Sequence, residues 1–150
     1  MASTTNILQE AHLLFNPLKT HRECYGVNDT YGHEAGDVVL KALAETVMRK
    51  SRQGDFVCRY GGEEFVLVMP NISIEKTSER AEDLHATINA LNIPYGRFNL
   101  TTTISMGIAW YPAHGTTKEA LMRAADMAMY VAKNTGRNRV IIYDEHAVGG

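Results

Sequence analysis

The chain has 150 residues, 45% of them hydrophobic, with 15 Lys+Arg against 17 Asp+Glu for a formal net charge of −2. That length suits one domain with a single substantial core, and the near-neutral balance excludes a global basic field for nucleic acid or anionic membrane, so any anion binding must be local. Cys24 and Cys58 lie far apart with no CxxC and no secretory signal ahead of them, the 6 histidines show no metalloprotease spacing, and no apolar run approaches a membrane span, so the chain reads as soluble, cytoplasmic and without a zinc site.

The first 27 residues are the hardest to place. Leu13-Leu14-Phe15 has strand character, but Pro17 lacks a ladder donor and argues against a central strand, which leaves an irregular segment, a shortened strand or foreign sequence. From Gly36 to about Ser51, Val39, Leu40, Leu43, Val47 and Met48 recur at helical spacing, with Lys41, Glu45, Arg49 and Lys50 largely on other faces. DFVCRY and FVLVM are strand-like and flank Gly61-Gly62, a tight-hairpin signal. A helix is expected between Asn71 and Leu91 on Ile74, Ala81, Leu84, Ile88 and Leu91, with Ser73 as N-cap. Residues 101–110 alternate as a strand that Tyr111-Pro112 closes. Thr117 caps a helix through Leu121, Ala125, Ala128, Met129 and Ala132, which Gly136 ends before VIIY forms a last strand. The expected architecture is α/β (α+β), a mainly antiparallel central sheet flanked by helices.

The most informative stretch is Arg59-Tyr60-Gly61-Gly62-Glu63-Glu64-Phe65. Glycines at a hairpin tip let backbone approach a bulky anion that a Cβ would exclude, and an adjacent carboxylate can hold a divalent ion on that anion's oxygens. On an ordinary hairpin the two acids would be solvated charge. Lys133 and Arg137 are four apart near a helix C-terminus, where both can point toward one anion or simply complement the helix dipole. The Tyr, Met and Ala residues of AADMAMYVA are expected in the core.

Four blocks, Asn28 through Asp37, the RYGGEEF hairpin, Ser105 through Ala109, and Ala124 through Asn138, together resemble the GGDEF family of diguanylate cyclases over residues 27–143. The resemblance implies a GGDEF domain at 27–150 behind a divergent segment at 1–26. It also implies a palm-like fold akin to nucleotidyl cyclases and polymerases, and conversion of two GTP into cyclic di-GMP plus two pyrophosphates. By that resemblance Glu63 ligates Mg²⁺ or Mn²⁺ and takes the 3′-hydroxyl proton, with Glu64 as supporting acid and Gly61 and Gly62 lining the phosphates. By the same resemblance Asn28 and Asp37 contact guanine, whose N1–H and amino group suit a carboxylate; the structural alternative is that Asn28 caps a turn and Asp37 the following helix. Lys133 and Arg137 match triphosphate-binding cations, and Arg52-Gln53-Gly54-Asp55 matches the inhibitory RxxD motif that grips cyclic di-GMP. A second arginine of that inhibitory site falls, by counting, at Asp83.

The chain also departs from the family. Thr20 stands where most members carry a metal-binding Asp, Tyr25 replaces a phosphate-binding Lys, and no Asp precedes Asp29. Since a central strand normally occupies this region, some alternative pairing from residues 11–18, or from a partner chain, is expected. Each domain holds one GTP, so the chemistry implies a homodimer, and an upstream sensory or regulatory domain is expected to control the encounter. A second reading is an impaired domain acting as a receptor for cyclic di-GMP or GTP; a third is a purely structural or dimerising module.

Overall fold

The computed structural model describes residues 11–15, 33–59 and 64–148. In chain order these form β1 (Ala11–Phe15), α1 (His33–Lys50), β2 (Phe56–Arg59), β3 (Phe65–Met69), α2 (Ile74–Asn89), β4 (Ile93–Tyr95), β5 (Phe98–Leu100), β6 (Met106–Trp110), α3 (Lys118–Asn134), β7 (Val140–Ile142) and α4 (Glu145–Val148). A five-stranded sheet runs in the order β2-β3-β1-β6-β7, and β4-β5 form a separate hairpin. All pairs in the main sheet are antiparallel except β6 with β7.

The first strand corrects one expectation and bears out another. β1 is the middle strand, paired to β3 on one side and β6 on the other, rather than a peripheral or irregular segment. The described ladder spans residues 11–15, and Pro17 lies outside the described residues. Residues within the expected 11–18 window thus fill the central position.

Period-two alternation in the strands sends side chains to two helical layers. Phe65, Leu67, Met69, Met106 and Ile108 join one core with Val39, Leu43 and Val47 of α1 and Ala81, Leu84 and Ile88 of α2. Val66 and Ala109 face the other way, onto Leu121, Ala124, Ala125 and Met129 of α3. The helix caps are as the sequence predicts: Ser73 Oγ accepts from the Lys76 N–H, Thr117 Oγ1 accepts from the Ala120 N–H, and Gly136 follows the end of α3 at φ 124°. Missed by the sequence reading is the β4-β5 hairpin, whose Gly96 opens a two-residue turn at φ 58° between Tyr95 and Phe98.

α3 lies unusually close to β6. A Cβ on Gly107 would meet the Ala125 carbonyl oxygen and the Met129 backbone nitrogen, so the helix backbone rests directly on the strand. Small residues at 107, 109, 124, 125 and 128 make that approach possible. One residue of α3 breaks the expected pattern: Tyr130 is 65% exposed, while Met129 and Ala128 beside it are buried. The helical repeat turns position 130 away from the sheet.

The β6–α3 connection is closed by His114. Its Nδ1 accepts the Trp110 backbone N–H at 2.8 Å, its backbone N–H donates to the Trp110 carbonyl at 2.8 Å, and its ring meets Tyr143 edge-on. Burial lowers the His114 pKa, opposed by the charge of Asp144. The fold therefore uses neutral imidazole, and the unfolded chain binds the extra proton first. This contribution is complete above the ordinary histidine value of about 6.5 and is lost as pH falls through it toward the depressed folded value.

Two outcomes are expected. Gly107→Ala lowers stability by about 1–3 kcal/mol in urea titration, because the new methyl meets backbone rather than a yielding side chain. In urea titrations run from above to below about pH 6.5, the stability of the parent chain falls relative to His114→Gln, whose amide oxygen accepts the same N–H without titrating; a constant difference would remove His114 as the cause.

Candidate functional site

Backbone register aligns one end of the sheet strand by strand. Arg59 pairs with Phe65, Phe65 with Phe15, Phe15 with Met106, and Met106 with Val140. Residues 60–64 connect the paired Arg59 and Phe65 at one end of that row, and the turn carrying Arg137 enters at its Val140 end. Asn28, Gly61, Gly62 and Glu63 lie outside the described residues, as do Thr20 and Tyr25. Glu64 is half-buried immediately before β3.

Asp37 lies one turn into α1, exposed, so it does not cap the helix. It lines an open cavity of about 470 Å³ with Leu40, Lys41, Ala44, Met48, Val57 and Phe65. The cavity therefore runs from a carboxylate on α1 across apolar walls to the first residue of the strand that leaves the hairpin. A flat aromatic base with hydrogen-bond donors on one edge matches that combination of apolar wall and carboxylate.

Lys133 occupies the last turn of α3 and is half-buried, whereas Arg137 is exposed in the turn that follows. The close α3–β6 contact fixes this pair relative to the sheet end.

The Arg52–Asp55 motif stands at the other end of the β2–β3 hairpin. The Asp55 side chain is 0% exposed and its oxygens are fully engaged: Oδ2 accepts from the Arg52 N–H at 2.9 Å and from Arg80 Nη2 at 2.6 Å, and Oδ1 accepts from Arg52 Nε at 3.2 Å. Burial alone would raise the Asp55 pKa, but the hydrogen bonds from Arg80 and Arg52, with the Arg80 charge, outweigh it and hold the carboxyl below its ordinary value. Arg52 Nη2 also donates to the Pro70 carbonyl at 2.6 Å. Nearby, Lys50 Nζ and Asp83 pair at 3.0 Å, and Lys50, Leu67, Glu79, Arg80, Asp83 and Leu84 line a second cavity of about 260 Å³.

A family model described as "Diguanylate cyclase, GGDEF domain" matches residues 23–139. The chain belongs to the GGDEF domain family of diguanylate cyclases. It is 40% identical over 117 residues to the response regulator PleD of Caulobacter vibrioides, an alignment covering 77% of this chain but only 26% of that protein's length. Among solved structures it resembles the active GGEEF domain of a diguanylate cyclase from Vibrio cholerae, with a TM-score of 0.82 and 25% identity over 96% of this chain and 88% of that one. It also resembles the GGDEF domain of DgcB from Caulobacter crescentus in complex with c-di-GMP, with a TM-score of 0.81 and 28% identity over 94% and 82% of the two chains. The palm-like α+β fold expected from the motifs is the fold of these GGDEF domains.

Arg80 is the residue of this GGDEF domain that the sequence reading missed. Counting along α2 leads to Asp83, which pairs with Lys50, whereas the guanidinium that reaches the RxxD carboxylate comes from one turn earlier. A signal was available: Arg80 sits three residues after buried Thr77 and four before buried Leu84, so a charge was placed at the edge of the sheet-facing stripe.

Arg80→Ala is expected to cost about 1–3 kcal/mol at neutral pH, since it strips a charged donor from a covered carboxylate. The sign with pH follows from the depressed Asp55 pKa: the contribution is present above the ordinary carboxylate range near about 4 and is lost as pH falls through the folded value. Chemical denaturation of parent and variant at neutral and acid pH checks both the size and the narrowing.

Proposed function

We propose that this GGDEF domain condenses two GTP molecules into cyclic di-GMP with release of two pyrophosphates, and that it does so as one half of a homodimer. The observation that supports the reading is the row of paired backbone from Arg59 and Phe65 to Val140, with Asp37 in a cavity lined also by Val57 and Phe65 of the two strands that flank residues 60–64 and with the Arg137 turn leading into Val140.

In this reading the guanine of one GTP lies in the Asp37 cavity against Leu40, Ala44 and Val57, with Asp37 accepting from its N1–H and amino group and Asn28 adding a second polar contact. Gly61 and Gly62 admit the phosphates close to the hairpin backbone. Lys133 and Arg137 hold the triphosphate and take up charge as pyrophosphate leaves. Glu63 accepts the proton of the 3′-hydroxyl as that oxygen bonds to the α-phosphorus of the GTP on the partner domain, and Glu64 supports it. The reaction repeated in the opposite sense closes the ring, so neither domain completes the product without alignment against the other.

The donor chemistry at the hairpin suits a hard divalent cation: Glu63 and Glu64 offer carboxylate oxygens, with water and phosphate oxygens completing the shell. No group of three His, Cys, Asp or Glu side chains that could hold a metal gathers among the described residues, and Glu63 lies outside them. Mg²⁺ or Mn²⁺, when bound, supplies charge neutralisation at the reacting phosphate.

The RxxD turn is read as a product site, where Arg52 and Arg80 donate to acceptor atoms of cyclic di-GMP; the rigidly held Asp55 supports this. That turn, with Thr20 and Tyr25 in place of the family's metal-binding Asp and phosphate-binding Lys, also supports a second reading. In it the domain is a receptor that binds cyclic di-GMP or GTP and signals by association, coupled to a sensory or regulatory domain. No helix among the described residues is long and apolar enough to cross a membrane, and a cytoplasmic setting is part of the proposal.

Incubation with GTP and Mg²⁺ or Mn²⁺ over a range of protein concentrations, with mass identification of products, decides between them. The cyclase reading expects cyclic di-GMP at a rate per chain that rises with concentration, and a drop of at least about 100-fold in Glu63→Gln. A folded chain that yields no product yet binds cyclic di-GMP, and loses that binding in Arg52→Ala, is the receptor.

A further inference from the structure

The turn between α3 and β7 is unusual in its backbone. Three successive residues have positive φ: Gly136 at 124°, Arg137 at 60° and Asn138 at 50°. Glycine adopts such angles freely and asparagine tolerates them, but an arginine there crowds its Cβ against the following carbonyl. A residue held in that region persists only where its surroundings over-determine it, and such residues cluster where function needs a fixed geometry.

The surroundings here can be named. The Arg137 N–H donates to the Ala132 carbonyl at 2.9 Å, the Asn138 N–H to Ser105 Oγ at 3.2 Å, and the Met106 N–H to the Arg139 carbonyl at 2.9 Å. Arg139 then folds back over the turn: its Nε donates to the Arg137 carbonyl at 3.1 Å, and its guanidinium lies where a Cβ of Gly136 would be, in contact distance of Nη2. A planar guanidinium therefore bridges the carbonyl of one turn residue and the bare face of another. Gly136 serves two ends at once, since a side chain there would meet both the positive φ and the Arg139 head group.

We propose that Arg139 is a positioning residue for Arg137: clamped on the Arg137 carbonyl and the open face of Gly136, it fixes the left-handed turn that presents the Arg137 side chain to the nucleotide's phosphates. The inference rests on the reading of Arg137 as a phosphate-binding cation. Physically, an exposed arginine loses rotamer and backbone freedom when it grips an anion, and a turn already fixed leaves less to lose. A lysine at 139 would keep the charge without the rigid fork.

The test measures the affinity of the whole chain for 3′-deoxy-GTP, which lacks the attacking hydroxyl, by calorimetry with Mg²⁺. The variants are Arg139→Ala, Arg139→Lys, Arg137→Ala and the Arg137→Ala/Arg139→Ala pair, each checked for an intact thermal transition. The expected result is a loss of about five- to tenfold in Arg139→Ala, a similar loss in Arg139→Lys, a loss at least as large in Arg137→Ala, and no further loss in the pair. Parent affinity in Arg139→Ala beside a weakened Arg137→Ala overturns this inference alone, as does parent affinity in Arg139→Lys, which would assign the effect to charge. Losses that multiply in the pair would show Arg139 acting independently and overturn it too. Parent affinity in Arg137→Ala, or no binding by the parent chain, removes the phosphate-site reading and this inference with it. Should Arg139→Ala not fold, Arg139→Gln and Gly136→Ala carry the same comparison, each expected to weaken binding without adding to Arg137→Ala.

Discussion

The two-sided pairing of β1 is the constraint on which the rest depends. β3 and β6 each need a partner for the backbone groups along one edge, and a five-residue strand satisfies both. Once Phe15 lies opposite both Phe65 and Met106, the row from Arg59 to Val140 is set, and with it the sheet end from which the hairpin and the Arg137 turn project. Segments remote in sequence thus share a sheet end because of main-chain register.

Two kinds of packing complete the arrangement. On one face, large aliphatic residues of α1 and α2 fill the space above Leu67, Met106 and Ile108 and keep Asp37 beside the hairpin strand. On the other, small residues bring α3 down until its backbone touches Gly107, which fixes its C-terminal Lys133 and the turn beyond. The RxxD turn sits at the opposite end of β2 from Arg59, and β2 is a four-residue strand about 13 Å long. A nucleotide at either place is therefore separate from the other yet joined to it by the same pair of hydrogen-bonded strands.

Much of this was legible in the chain. Val39, Leu43 and Val47 at helical spacing, Ser73 and Thr117 ahead of apolar runs, and Gly136 after one identify three helices through interactions confined to a few neighbouring residues. The hairpin, the RxxD motif and the Lys133–Arg137 pair are equally local signals. Less legible were contacts that join distant segments. Arg80 reaches Asp55 across 25 residues, and the pairing of Ile93–Tyr95 with Phe98–Leu100 hid behind Pro94 and a turn with only one glycine. Tyr130 read as core because its neighbours are apolar, whereas its position on the helical repeat carries it outward.

The amino-acid sequence by itself determined the family, the helical segments with their caps, and the identity of the acids and cations available for phosphate chemistry, because short-range periodicity and motif spacing need no partner to be read. The tertiary structure alone decided that residues 11–15 occupy the middle of the sheet, that Arg80 rather than the residue at 83 holds Asp55, and that Arg139 folds over the Arg137 turn. Those outcomes depend on which segment can complete an open ladder or cover a buried charge, a choice made only when elements far apart in the chain meet.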